Sequence, residues 1–304
     1  MILVTGCSGF IGKRLVCCLR QHGAKIRLLS KVKHFGASDV ITCDFTKDAI
    51  PESIFANVDV VFHLAGYAHD IRGKGDVEDM YRTVNIDSTV QLAKLASSAG
   101  VRRFIFVSSV KAGGDALSLK EMTENDQSTP NNIYGQTKRE AELKILEIGL
   151  KSKMHVVIIR PALVYGPGVK GNLRSMIKAI NAGWFPPIPK TGNRRSMIHV
   201  DDLVEALLLL SEDKRANGNI YIVTDGQSYS THEVYNILCQ TMGKSTPRWS
   251  IPSFCFQLVS QLSPNIRDRV NKLMGDEFYS SRKIEDLGFS AKKTLADINR
   301  SDFL

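Results

Sequence analysis

The chain has 304 residues, enough for one large α/β domain or a domain with a smaller partner. At 43% hydrophobic and 23% charged, its composition excludes a disordered tail, a collagen-like repeat and a disulfide miniprotein. Forty Lys and Arg against 31 Asp and Glu leave a net charge of +9, which suits nucleic acid, an anionic membrane or a phosphorylated small molecule.

Residues 1–5 (MILVT) form an apolar run that ends at glycine and reads as a first strand. No basic leader precedes it, and no stretch approaches the roughly 18–20 apolar residues of a transmembrane helix, so a cytoplasmic protein is expected. A helix-period pattern follows at Ile11, Leu15 and Leu19, closed by Gly23. Residues 25–29 and 40–43 read as the second and third strands. The continuous apolar run 58–64 reads as a fourth strand buried on both faces. A long helix is expected over 77–99, a fifth strand over 101–108, a helix over 133–150 and a sixth strand over 154–159. Glycine and proline then cluster at Gly166, Pro167, Gly168, Gly171 and 186–189, which breaks the alternation. A helix over 201–211 and a strand over 219–223 return to it, and the tail reads as short helices.

This order predicts an α/β fold, a doubly wound parallel Rossmann sheet with a smaller, mostly helical C-terminal substrate-binding portion. The expected division is 1–165 with 195–225 returning to it, against 166–194 and 226–304. The six cysteines show no C-x-x-C and no metal-ligand spacing with histidine, so no metal is expected.

Gly6, Gly9 and Gly12 lie at the first strand–helix junction, with Phe10 and Ile11 between them. There, glycines permit a tight turn and let backbone N–H groups approach a pyrophosphate at the helix N-terminus. The position in a βαβ unit favours a dinucleotide site over a turn with no ligand. An acidic residue near the end of the second strand would hold the ribose 2′-hydroxyl of NAD; Ser30, Lys31 and Lys33 stand there instead. A hydroxyl and cations suit a 2′-phosphate, so NADP is favoured over NAD. Asp44 can accept from the adenine amino group, with Phe45 beside the ring.

Tyr134 and Lys138 stand one helical turn apart on one face. A phenol is a poor base near neutrality, with a reference pKa of about 10. A neighbouring ammonium would lower that value and let Tyr134 exchange a proton with a sugar hydroxyl. Ser109 ends the fifth strand at the carboxyl edge of the sheet, where its hydroxyl can bind the same substrate oxygen. Ser108 faces the other way in a strand.

The chain resembles the extended short-chain dehydrogenase/reductases of the NAD-dependent epimerase/dehydratase family over nearly its whole length. The resemblance rests on VTGCSGFIG (4–12), VFHLAG (61–66), VNIDS (84–88), FVSSVKAGG (106–114), YGQTK (134–138), IIRPALVYGPG (158–168) and RSMIHVDDL (195–203). It implies Tyr134 as acid/base, Lys138 tuning it, Ser109 orienting the substrate and Asn85 supporting the lysine. It also implies Leu64, Ala65 and Gly66 lining the cofactor and Pro161 bordering the nicotinamide. Within the family the match is to enzymes of bacterial surface-polysaccharide assembly. Arg195 resembles the arginine that such enzymes point at a nucleotide diphosphate, and Asn172 can bind the diphosphate or the sugar.

The implied function is hydride transfer at a carbinol carbon, C4, of a nucleotide-activated sugar, as epimerase or 4-ketoreductase, by a homodimer. Reduction of a hydrophobic ketone of steroid or flavonoid type is the alternative, and would not need Arg195. A non-catalytic NADP-binding protein would not need Ser109, Tyr134 and Lys138 together. The basic pairs are scattered without interleaved aromatics, so no nucleic-acid partner is expected.

Overall fold

The computed structural model describes residues 1–32, 40–68, 77–116, 120–247, 249–263, 267, 270–271 and 273–302. Seven strands, β1 (Ile2–Thr5), β2 (Ile26–Ser30), β3 (Val40–Thr42), β4 (Val60–His63), β5 (Arg103–Val107), β6 (His155–Pro161) and one formed by Asn219–Val223, make a parallel sheet. With β7 (Leu163–Tyr165) and β8 (Met197–His199) pairing apart, that last strand is β9, and the sheet order is β3-β2-β1-β4-β5-β6-β9. The order reverses between β1 and β4, which opens a crevice at their carboxyl ends where such sheets bind ligands.

The period of two in each strand feeds two cores. Leu3 and Val61 face helices α3 (Ser88–Ser98) and α4 (Ile133–Ser152), while Val4 and Phe62 face α1 (Phe10–Gln21) and α6 (Val200–Glu212). All four side chains are buried, each stabilising the fold by roughly 1.5–3 kcal/mol. A third core, with Leu173, Ile177 and Ile180 of α5 (Gly171–Asn181) against Val234 and Leu238 of α7 (Thr231–Thr241), builds the C-terminal portion.

The structure refines three expectations. The helix expected over 77–99 is α2 (Val77–Arg82), a π turn (Thr83–Asp87) and α3. The hydroxyls of Ser88 and Thr89 donate to the carbonyls five residues back, Thr83 (2.7 Å) and Val84 (3.5 Å), which supplies bonds for the widened turn. The helix α5 lies in a stretch read only as a break in the pattern. The tail is shared between cores: Ile284 of α9 (Arg282–Glu285) and Phe289 join the α1–α6 core, whereas Leu295 and Ile298 join α5 and α7. A further helix, α8 (Ser253–Ser260), precedes them.

One buried ion pair ties α4 to the sheet. Arg160 of β6 donates to Glu142 through Nε (2.9 Å) and Nη2 (2.6 Å), both side chains being almost fully buried. The bidentate geometry offsets the desolvation of the two charges, and removing either one leaves the other buried alone. Glu142→Leu or Arg160→Met alone should cost about 3–5 kcal/mol in denaturant unfolding, and the double variant should recover most of that loss.

Candidate active site

The crevice between β1 and β4 is shaped by backbone contact. Gly6 has φ +66°, and a Cβ there would lie 2.5 Å from the Ala65 nitrogen. A Cβ on Gly12 would lie 2.2 Å from the Gly6 carbonyl oxygen, so α1 meets the turn without any side chain between them. Gly9 closes the turn by donating to the Gly6 carbonyl (2.9 Å). On the β4 side, Thr5 Oγ1 accepts from the Ala65 N–H (3.3 Å) and contacts His63 Nδ1 (2.6 Å). The other ring nitrogen of His63 meets Thr89 Oγ1 (2.8 Å), and burial pushes its pKa down to about 3. A neutral histidine thus pins β1, β4 and α3 together beneath residues 64–66. This bare-backbone cradle at a helix N-terminus fits a dinucleotide pyrophosphate. Phe10 and Ile11 follow it half-buried at the start of α1.

Ser109 and Tyr134 are brought near each other, close enough for Ser109 to act on the phenol and lower its pKa. Ser108 is buried with no partner for its hydroxyl among the described residues. Asn132 caps α4 by accepting from the Gly135 N–H (2.8 Å), which starts the helix at the turn that carries Tyr134. Gly135 itself permits the approach: a Cβ there would lie 2.4 Å from the Lys111 carbonyl oxygen of the turn after Ser109. No sequence reading singled it out, although a glycine inside a helical pattern is a recognisable signal. Tyr81, with its ring 6.4 Å from that of Tyr134, is a second neighbour that was missed.

Lys138 is buried, donates to the Val107 carbonyl (2.9 Å) and lies 4.3 Å from the centre of the Phe106 ring. Burial draws its pKa down to about 8, and Glu142 opposes that shift. Burial also pushes the Tyr134 phenol up to about 12, against the lowering by Ser109. The expected lowering by Lys138 is not among the influences on the phenol: burial raises its pKa, Tyr81 and Glu142 add to that, and Ser109 alone opposes it. Asn85, on the π turn, accepts from the Tyr67 N–H (2.7 Å) and donates to the Tyr67 carbonyl (3.0 Å) and to Thr137 Oγ1 (3.1 Å). It joins the segment after Gly66 to α4 beside Lys138. A Cβ on Gly66 would lie 3.3 Å from both Asn85 Oδ1 and Lys138 Nζ, so this glycine leaves room for both buried groups.

The expected NADP preference finds no support at the end of β2. Ser30 is buried, and its hydroxyl accepts from the Val32 N–H (3.3 Å). Lys31 pairs with Asp44 (3.1 Å), so a 2′-phosphate there would meet a carboxylate along with the cation. Lys33 lies outside the described residues. Asp44 also accepts from the Thr46 N–H (3.0 Å) and hydroxyl (2.8 Å), and these bonds with Lys31 hold its pKa low against desolvation. Phe45 packs toward His63, ring centres 6.2 Å apart.

Pro161 ends β6, buried beside β9. Arg195 is half-buried; its Nε donates to Thr231 Oγ1 (3.1 Å), and its backbone exchanges hydrogen bonds with Tyr229. Its segment bridges to Glu277, which pairs with Lys111 (2.7 Å), two residues after Ser109. Arg195 is thereby linked to the Ser109 turn through one ion pair. Asn172 stands exposed in the first turn of α5. Among the described residues no group of His, Cys, Asp and Glu is placed to hold a metal ion.

The chain is similar to known proteins over nearly its whole length. The UDP-glucose 4-epimerase of Vibrio cholerae is 34% identical over 310 residues, covering 97% of this chain and 92% of the relative. The N-acetyl-α-D-glucosaminyl-diphospho-ditrans,octacis-undecaprenol 4-epimerase of Escherichia coli O157:H7 is 26% identical, with the same two coverages. The structure of MoeE5 in complex with UDP-glucose and NAD superimposes with a TM-score of 0.78 at 25% identity, covering 97% of this chain and 95% of that one. The family model for the NAD dependent epimerase/dehydratase family matches residues 2–224, and the chain belongs to that family.

Proposed function

We propose that the protein is an NAD-dependent 4-epimerase of a sugar carried on a nucleoside diphosphate, with a UDP-hexose as the substrate class. The observation that carries this reading is the convergence of Ser109, Tyr134 and Lys138 at the carboxyl edge of the sheet, with Ser109 near the phenol and the buried Lys138 one helical turn from it on the Val107 carbonyl. The Vibrio cholerae relative and the UDP-glucose and NAD bound by MoeE5 support the choice of sugar and cofactor.

A bound dinucleotide supplies the acceptor and donor of hydride. Ser109 holds the reacting oxygen of the sugar, and Tyr134 exchanges its proton. A phenol near pKa 12 is a ready proton donor at neutral pH. Forming its phenolate there costs about 7 kcal/mol, so removal of the sugar's proton needs positive charge beside the ring. The Lys138 ammonium is the chain's own source of that charge. Inversion requires hydride to return to the opposite face of the carbon, so the sugar turns while Arg195 keeps hold of the diphosphate.

Tyr134→Phe should lower kcat by about 10²–10⁴-fold for UDP-glucose interconversion while leaving dinucleotide binding intact. The ammonium form of Lys138 is populated below its pKa of about 8, so kcat/KM should fall as pH rises through that value. A flat profile to pH 10, or full activity in Tyr134→Phe, would contradict these roles. Net consumption of NADH with a 4-keto sugar and no epimerisation would assign a ketoreductase instead.

The pairing of Lys31 with Asp44 supports NAD over NADP. Asp44→Asn releases the cation and should shift the NAD-to-NADP affinity ratio toward NADP by about 10-fold in fluorescence titration, equivalent to ~1.4 kcal/mol. An unchanged ratio would remove the pair from cofactor selection.

A further inference from the structure

The excess positive charge is concentrated in one part of the chain. Residues 166–194 and 226–272 hold ten Lys and Arg against two acids, Glu233 and Asp268, so a quarter of the chain accounts for eight of the nine net charges. From the N-cap Lys170 along α5, Lys170, Arg174 and Lys178 recur every four residues, all exposed, in a row beside the buried stripe of Leu173, Met176 and Ile177. The chain then reaches Trp184.

The same part of the molecule exposes its largest apolar side chains to solvent. Trp184 is 71% exposed, Trp249 65%, Phe254 58%, Leu258 59% and Leu262 74%. Phe254 and Leu258 lie one turn apart on α8, and Leu262 continues that spacing beyond its end. The Ile251 N–H donates to the Pro187 carbonyl (3.2 Å), which joins the segment before α8 to the strap after Trp184. Phe185 and Phe256 anchor the two segments from beneath, both packed on the α5–α7 core. The protein has two tryptophans in all, and both belong to this face.

We infer that this face docks on the surface of an anionic lipid bilayer. Exposed tryptophan, phenylalanine and leucine flanked by Lys and Arg is the composition that lies at a membrane interface. The rings enter the headgroup boundary and the cations meet anionic lipid. A protein partner is served less well, because interface cores are depleted in lysine. The described residues contain no helix long and apolar enough to cross a membrane, so the association is peripheral. The inference rests on surface composition alone and stands apart from the substrate and cofactor proposed above.

The two tryptophans make the test direct. The full-length protein is mixed with vesicles of phosphatidylcholine containing phosphatidylglycerol, or with phosphatidylcholine alone, and Trp emission and co-sedimentation are followed. The expected result is a blue shift with loss of acrylamide quenching on the anionic vesicles only, reversed by salt. Phe254→Ser/Leu258→Ser, at exposed positions, should weaken vesicle binding by about 10-fold or more while leaving the emission of the free protein unchanged. Absence of a shift and of co-sedimentation with anionic vesicles would overturn the inference, and equal binding to neutral vesicles would overturn the role of charge. A blue shift without lipid that grows with protein concentration, alongside a doubled mass, would overturn it in favour of a second copy of the chain.

Discussion

One face of α4 holds the site together. Tyr134, Lys138 and Glu142 follow one another at successive turns, and the last two are buried in the sheet. Lys138 is fixed on the Val107 carbonyl of β5, and Glu142 on the guanidinium of Arg160 in β6. Two strands therefore set the rotation of the helix about its axis, and that rotation aims the phenol at Ser109. The charges depend on each other: Glu142 opposes the lowering of the Lys138 pKa by burial, and Arg160 pairs with Glu142 so that its carboxylate is not left alone in the interior.

The crevice side depends on close approach of backbones. Gly6 against Ala65, Gly12 against Gly6 and Gly135 against Lys111 are contacts that any Cβ would break. They bring together the end of β1, the end of β4, the Ser109 turn and the start of α4. Asn85 closes the set from the π turn, where the widened helix lets one side chain satisfy both polar groups of Tyr67 and reach Thr137. Polar groups that face the crevice are thus held by neighbours of their own, which is the condition for holding a reacting oxygen in fixed position.

Much of this was legible in the sequence. The strand-helix alternation carries local signals of period, and the strands and helices stand where those signals place them; the glycine turn and the serine, tyrosine and lysine are marked in the sequence by spacing. What was not legible depends on tertiary neighbours. The π turn needs the hydroxyls of Ser88 and Thr89 to bond carbonyls five residues back, which no helical period reveals. The pairing of Lys31 with Asp44 joins the ends of two adjacent strands, so cations at the end of β2 read as free until the third strand is placed. Desolvation of Tyr134 likewise depends on what packs around it. The net charge of +9 was visible at once, but its concentration beside exposed tryptophans emerges only when the C-terminal portion is seen as one surface.

The central claim is that Ser109, Tyr134 and Lys138 manage a proton while hydride leaves and returns at C4. The most direct measurement uses UDP-glucose carrying deuterium at C4, incubated with the protein and a trace of NAD and followed by NMR and mass spectrometry. The account predicts UDP-galactose that retains its deuterium at C4, with no net change in NAD. Loss of the label to solvent, or epimerisation at another carbon, would contradict it.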